Sequence, residues 1–152
     1  MNSGYLLDTS ILSMLAPDRP SLDQGLSDWL RAHTDELYLT AVSVAEIEQG
    51  IGKLNRAGGA SRAERLTAWL DALLNRFADR VLAFDGPVGR VAGRLSDRAL
   101  AAGRHPGFAD VAIAATAEAH GLTLLTRNVR HFEPLGIVFA DPFVALPQAH
   151  SP

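Results

Sequence analysis

Short apolar runs alternating with helical segments are the feature that most limits how this 152-residue chain can fold. The runs predict five strands, at residues 5–7, 37–40, 81–84, 122–125 and 137–139. Between them, apolar residues recur at helical spacing, most clearly over residues 66–77. Strands that alternate with helices in this way form a parallel sheet covered by helices on both faces. We therefore predict an α/β fold with a central, mostly parallel five-stranded sheet.

The length and the residue types narrow the class further. A chain of 152 residues fits one ordinary domain, which we place at residues 1–145 with a short tail at 146–152. The chain has no cysteine, which excludes disulfides, thiolate catalysis and cysteine-ligated metals. It shows no basic leader, and no apolar run approaches the roughly 18 residues that span a bilayer. We expect a cytoplasmic protein with no membrane partner.

The charge balance limits how the chain could bind a polyanion. Fourteen basic residues against 17 acidic ones give a net charge of -3, so there is no global attraction to nucleic acid. Metal ions or a local arginine cluster would have to supply that attraction. Lys53 is the only lysine, and the other basic residues counted are arginines.

Helix boundaries can be predicted from capping residues. Asp85 is expected to cap a helix that runs to about Gly103. Gly121 is expected to end an alanine-rich helix over residues 108–120. Another helix is predicted over 42–54, and the glycines of 56–61 separate it from the next helix.

Three acids stand where hydrophobic patterning alone would not put them. Asp8 ends the first strand, Glu46 is expected in the first turn of the helix after the second strand, and Asp110 in the first turn of the alanine-rich helix. In a parallel sheet all three meet at the carboxyl edge, where ligands bind. Clustered carboxylates need a cation, and Mg²⁺ prefers such oxygens. The chemistry indicated is metal-assisted attack on a phosphodiester.

Two of these acids also have a purely structural interpretation. Glu46 could complete a capping box with Ser43. Asp110 lies where the helix dipole favours any acid. The combination of the three acids favours the functional interpretation.

Four segments together resemble a known family. They read LLDTS at 6–10, VSVAEI at 42–47, FADVAIAATA at 108–117 and LLTRN at 124–128. In order and spacing they are similar to the acidic-site motifs of PIN-domain ribonucleases, and most similar to the VapC and FitB group of bacterial toxins. The resemblance covers nearly the whole chain.

The resemblance implies a PIN-like fold and an endoribonuclease that depends on Mg²⁺ or Mn²⁺. By the same resemblance, Asp8, Glu46 and Asp110 are the catalytic metal ligands. Thr126 would supply a hydroxyl that holds a ligand or water in place. Ser10 stands where many members carry asparagine.

The resemblance also implies protein partners. A cognate antitoxin, itself a small DNA-binding protein, would occupy the active site, with the helical pair around residues 56–61 helping to form its groove. Toxin protomers would pair as homodimers and assemble further with the antitoxin. Apolar residues of the second helix of that pair, such as Trp69, would then divide between core and partner contact.

One segment departs from the family pattern. Many relatives carry a fourth aspartate where this chain has Asn128, and an amide oxygen supplies no negative charge. We therefore expect one firmly held ion, with a second recruited mainly by substrate phosphate. Arg127 and Arg130 are candidate contacts for RNA phosphate, and His131 could bind or protonate a group there.

The sequence lacks the motifs of three other classes of phosphate-binding protein. A phosphoacceptor receiver needs a lysine late in the chain, and a haloacid-dehalogenase-type phosphohydrolase needs an aspartate at position 10, where Ser10 stands. Residues 50–54 lack the spacing of a P-loop. The serious alternative is a catalytically weak PIN-like module that binds its antitoxin and represses its own operon.

Overall fold

The computed structural model describes residues 3–148 and confirms the predicted α/β class. Met1, Asn2 and residues 149–152 of the predicted tail lie outside the described residues, and the domain boundary at 145 stays a prediction. Within the described part the elements are β1 (Tyr5–Leu7), α1 (Thr9–Met14), α2 (Gln24–Ala32), β2 (Leu37–Thr40), α3 (Ala41–Arg56), α4 (Ala60–Phe77), β3 (Val81–Leu82), α5 (Gly86–Ala101), α6 (Phe108–His120), β4 (Thr123–Leu125), α7 (Val129–Phe132) and β5 (Phe139–Ala140).

The five strands form one sheet in the order β3-β2-β1-β4-β5, and every pairing between them is parallel. From β1 the chain first builds outward through β2 and β3, then returns to place β4 on the other side of β1. The strand order therefore reverses between β1 and β4. Such a switch point opens a crevice outside the carboxyl ends of the strands, which is the usual ligand site in this class of sheet.

Both edge strands differ from the prediction. β3 ends at Leu82 because its partner β2 ends at Thr40, so Ala83 and Phe84 have no strand to pair with. β5 lies at Phe139–Ala140 rather than at 137–139, in register with Leu124 and Leu125. The apolar run predicted each strand, but the length of the neighbouring strand set its end.

The sheet separates two hydrophobic cores. On β1, Tyr5 and Leu7 face the core beneath α2, α3 and α4, whereas Leu6 faces the core beneath α5 and α6. This alternation follows from the two-residue period of a strand. All three side chains are buried, as expected for a central strand covered by helices on both faces.

Helix α3 begins differently from the prediction. Its N-cap is Thr40, whose hydroxyl accepts a hydrogen bond from the Ser43 amide at 2.9 Å. Glu46 therefore lies in the second turn of α3, and the capping box with Ser43 is wrong. Because the helix is already capped at Thr40, no structural use of the Glu46 carboxylate remains at this helix end.

The other capping predictions are confirmed. Asp85 caps α5 by accepting a hydrogen bond from the Val88 amide at 3.1 Å. Gly121 ends α6 in the left-handed region, with φ of 66°. Between them, α6 buries a run of small residues against α5 and the sheet, and this run includes Ala112, Ala114 and Ala115. Asp110 is thus carried by a helix that is buried along most of its length.

Among the described residues, no helix is both long enough and apolar enough to cross a membrane.

Alanine substitutions at two glycines should change the free energy of unfolding in opposite directions. A Cβ at Gly4 would lie 2.9 Å from the Glu36 carbonyl oxygen, so Gly4→Ala should lower the free energy of unfolding by about 1–3 kcal/mol. Gly93 lies inside α5 with open space around its Cβ position, so Gly93→Ala should raise that free energy by about 0.5–1 kcal/mol. Urea unfolding of both variants checks the pair, and equal effects would contradict the packing described for β1.

Candidate active site

Asp8 occupies the switch point directly after β1. Its amide donates to the Leu125 carbonyl at 2.9 Å, so it continues the β1–β4 ladder by one residue. Its backbone then turns to cap α1, and its Oδ1 accepts a hydrogen bond from the Thr9 amide at 2.8 Å. The residue is only 3% exposed. A carboxylate this deeply buried needs hydrogen-bond donors around it.

Two hydroxyls supply the remaining donors. The Asp8 Oδ2 atom accepts from Ser10 Oγ at 2.8 Å and from Thr126 Oγ1 at 2.7 Å. Each hydroxyl in turn accepts from a backbone amide, Ser10 from Arg127 at 3.2 Å and Thr126 from Asn128 at 2.9 Å. The proton directions are consistent along both branches. The segment after β4 thereby fixes the orientation of the carboxylate after β1.

Glu46 reaches the same region through Thr9. Its Oε1 accepts a hydrogen bond from Thr9 Oγ1 at 2.7 Å, and Thr9 Oγ1 also lies 2.8 Å from the buried Ser43 Oγ. Glu46 itself is exposed. Thr9 therefore connects the two acids, because its backbone amide donates to Asp8 and its hydroxyl donates to Glu46.

Asp110 lies in the first turn of α6. Burial raises the pKa of Asp110 above its ordinary value, His131 opposes that rise, and the nearby charge of Asp8 adds to it. His131 Nδ1 lies 3.2 Å from Asp110 Oδ2. The charge of Asp8 raises the pKa of Asp110, as expected when two carboxylates lie near each other.

The three acids are brought to one edge of the sheet but not into a closed ligand set. Over residues 3–148, no group of three or more histidine, cysteine, aspartate or glutamate side chains is placed to hold a metal ion. The charge of Asp8 acts on Asp110, whereas the Glu46 carboxylate is hydrogen-bonded to Thr9. The donors are all hard oxygens, which is the chemistry that Mg²⁺ and Mn²⁺ accept. Their role as metal ligands stays a prediction.

The other predicted site residues have different surroundings. Asn128 is exposed and is the N-cap of α7; its backbone amide donates to Thr126 Oγ1 and its carbonyl accepts from the His131 amide at 3.0 Å, but its side chain makes no capping hydrogen bond. The Arg127 guanidinium lies 4.4 Å over the Phe143 ring, and its Nη1 atom is 3.7 Å from the Met14 sulfur. Arg130 lines a cavity that also borders Asp110.

Sequence reasoning missed two contacts in this site. It did not find the hydroxyl pair of Thr9 and Ser43 that connects Glu46 to the rest of the site. It also did not pair His131 with Asp110. Thr9 was adjacent to Asp8 in the sequence and could have been noticed, but the His131 contact joins α7 to α6 and had no local signal.

Comparison with known proteins identifies the relatives of this chain. The sequence model of the PIN domain matches residues 5–135. Toxin FitB of Neisseria gonorrhoeae is 34% identical over 140 residues, covering 91% of this chain and 97% of that protein. VapC ribonuclease Y4jK of Sinorhizobium fredii is 34% identical over 139 residues, covering 91% and 96%. The solved structure of FitAB bound to the IR36 DNA fragment matches with a TM-score of 0.74 at 31% identity, covering 97% of this chain and 99% of that one.

The Thr126 hydroxyl can be removed with little change of shape. Thr126→Val would leave the Asn128 amide without its acceptor and Asp8 with one donor fewer. We expect a loss of about 1–3 kcal/mol in the free energy of unfolding. Thr116→Val is the matched control, because that buried hydroxyl only donates to the Ala112 carbonyl within α6. Chemical unfolding measures both, and equal losses would mean that Thr126 does not support Asp8.

The raised pKa of Asp110 predicts a pH-dependent cost to stability in metal-free protein. Its folded pKa lies above the ordinary value of 3.8, so its contribution to stability is present below that value and is lost as pH rises through the folded pKa. Asp110→Asn should therefore raise the thermal midpoint at pH 7 in EDTA, and the gain should vanish near pH 3. Asp97→Asn, at an exposed position of α5, controls for the loss of a surface carboxylate. A gain that persists unchanged at acid pH would contradict the electrostatic cause.

Proposed function

The chain belongs to the PIN-domain family, and we propose that it is a metal-dependent endoribonuclease that acts as the toxin of a toxin-antitoxin pair. The carrying observation is the buried Asp8 carboxylate at the switch point, oriented by three donors and placed in the field of Asp110. The relative VapC ribonuclease Y4jK, whose alignment covers 91% of this chain, supports the same activity. An RNA substrate would place the protein in the cytoplasm.

Asp8 and Asp110 are the pair that would hold a Mg²⁺ or Mn²⁺ ion. Two like charges held together by the fold are stabilised by a divalent cation, and both side chains offer oxygen ligands. When bound, such an ion would activate water and stabilise the charge that develops on the departing oxygen. Glu46 would join this pair as a ligand of the ion by giving up its hydrogen bond with Thr9.

The remaining residues would position these acids. Ser10 and Thr126 keep the Asp8 Oδ2 atom in one orientation, and the Thr9 amide keeps Oδ1. This leaves the carboxylate little freedom to reorganise when an RNA strand arrives, which is how preorganised sites lower a barrier. Asn128 adds no charge to the site, so we propose that it holds one ion firmly and that substrate phosphate helps to recruit a second.

The partner proposed from the family fits a groove in the structure. A cavity of about 200 Å³ lies between α1, α3 and α4, with Glu46 at one side and an apolar wall that includes Ile47, Leu66 and Trp69. Leu70, Leu73 and Phe77 of α4 are buried in the core instead. We propose that an antitoxin segment occupies this groove and approaches the acids past Glu46, and that toxin protomers pair as dimers.

A catalytically weak module is the second candidate. The observation in its favour is that the three acids do not form a closed ligand set among the described residues, together with an amide at position 128. In that case the chain would act through its antitoxin, and the related FitAB complex is itself bound to DNA.

Cleavage of single-stranded RNA by the purified protein separates the two candidates. We expect hydrolysis in Mg²⁺ or Mn²⁺ that EDTA stops. Asp8→Asn and Asp110→Asn should each lower the rate by about two orders of magnitude or more, since a metal centre contributes several kcal/mol to transition-state stabilisation. Asp97→Asn is the matched control and should cleave normally. Absence of metal-dependent cleavage, combined with tight binding of the adjacent DNA-binding protein, would favour the second candidate.

A further inference from the structure

A second cavity, of about 300 Å³, borders the candidate site at Asp110. One wall is the turn between α5 and α6, and the other is α7 with the residues that follow it. The residues that line it are Arg104, His105, Pro106, Gly107, Asp110, Arg130, His131 and Pro134. We refer to it as the basic cleft.

The basic cleft concentrates positive charge next to an acid of the site. Two arginines line it together with a single carboxylate, that of Asp110, and its two histidines are neutral at pH 7 in the formal charge count. A cavity beside α5 provides a contrast, because its two arginines, Arg94 and Arg98, are accompanied by Asp97 and Glu118. In a chain with a net charge of -3, a local excess of arginine beside the acids indicates an anionic ligand.

The two arginines of the basic cleft are available for such a ligand. Within residues 3–148, the side chains of Arg104, His105 and Arg130 make no hydrogen bond or ion pair. Arg127, by contrast, lies against Phe143 and Met14. The cleft arginines therefore do not have to leave a protein partner before they bind.

Both walls of the basic cleft are anchored. The Arg104 amide donates to the Ala99 carbonyl at 2.8 Å, which ties the turn to the end of α5. The opposite wall is anchored by Phe132 and Leu135, whose side chains are buried in the core beneath α5 and α6. Two cationic groups on separate anchored segments form a site that a flexible surface loop would not provide.

We propose that the basic cleft binds a backbone phosphate of the RNA strand, next to the phosphodiester that lies at Asp8 and Asp110. The proposal rests on the ribonuclease function and adds the part of the substrate that this chain grips beside the reacting bond. Arg104 and Arg130 are the main contacts, because guanidinium groups keep their charge and bind phosphate oxygens in pairs. His105 lies beside them at the rim. A phosphate held here would fix the register of the strand across Asp110.

Binding can be measured without cleavage in an Asp8→Asn background. The probe is a short mixed-sequence RNA labelled with fluorescein, followed by anisotropy at several salt concentrations. Arg104→Gln with Arg130→Gln should weaken binding about tenfold, and should make the slope of log K against log salt shallower by about 0.7, the contribution of one single-strand phosphate contact. The control, Arg94→Gln with Arg98→Gln, removes equal charge from α5 and should change the dissociation constant less than about twofold.

Steady-state kinetics with Asp8 intact distinguish a role in phosphate binding from a role in the chemical step. The cleft pair should raise KM by a factor similar to that on binding and leave kcat within about twofold, because the cleft contacts a phosphate that does not react. Thermal unfolding of the purified variants verifies that both double variants are folded. Equal weakening by the cleft pair and the α5 pair would overturn the proposal, since it would reduce the effect to net charge.

The remaining outcomes separate this proposal from the ribonuclease function. Normal RNA cleavage by the wild type, with binding and KM unchanged in the cleft pair, would overturn the phosphate site and leave the function standing. If the wild type does not cleave RNA but the cleft pair still binds RNA more weakly, the phosphate site would be supported and the ribonuclease function would be excluded. Loss of affinity for the antitoxin, with RNA affinity intact, would assign the cleft to a protein partner and overturn the proposal.

Discussion

The burial of one negative charge at the centre of the sheet organises this molecule. Asp8 is 3% exposed, and its carboxylate is satisfied by an amide of α1 and by hydroxyls of Ser10 and Thr126. Removing one hydrogen-bond donor from a buried carboxylate costs about 1–3 kcal/mol, and more when the group is charged. The segment after β1 and the segment after β4 are therefore held together where the strand order reverses. The same contacts that stabilise the fold define the floor of the site.

Around that floor, the charges are arranged unevenly. Asp110 is a carboxylate that burial and its neighbour Asp8 make harder to ionise, whereas Glu46 is exposed and satisfied by the Thr9 hydroxyl. Beyond Asp110, the basic cleft supplies the positive charge that a polyanion needs to approach. On the side of Glu46, the groove between α3 and α4 has an apolar wall, and Arg19 and Arg62 also line it. The proposals assign a phosphate-rich strand to the basic cleft and a protein segment to the groove.

Much of this arrangement follows from local sequence. The strand pattern predicted the parallel five-stranded sheet, and the capping roles of Asp85 and Gly121 follow from residues within one helical turn. The predicted end of β3 was wrong because its neighbour β2 ends at Thr40, which leaves Ala83 without a strand residue to pair with. Glu46 was misplaced in its helix because Thr40, a strand residue, turned out to be the cap. The contact of His131 with Asp110 joins elements that no local pattern connects. What fails to follow from the sequence is therefore decided by partners that are distant along the chain.

Asp8 is also the N-cap of α1, so one carboxylate serves both the helix end and the site. This double use limits how the chain could lose its chemistry during evolution. An alanine at position 8 would remove the acid and the cap together, and alanine is among the poorest N-caps. Asparagine or serine would remove the negative charge but keep a capping oxygen. A descendant that had become a pure binding partner would thus be expected to retain a small polar residue at position 8, as a mark of the enzyme it came from.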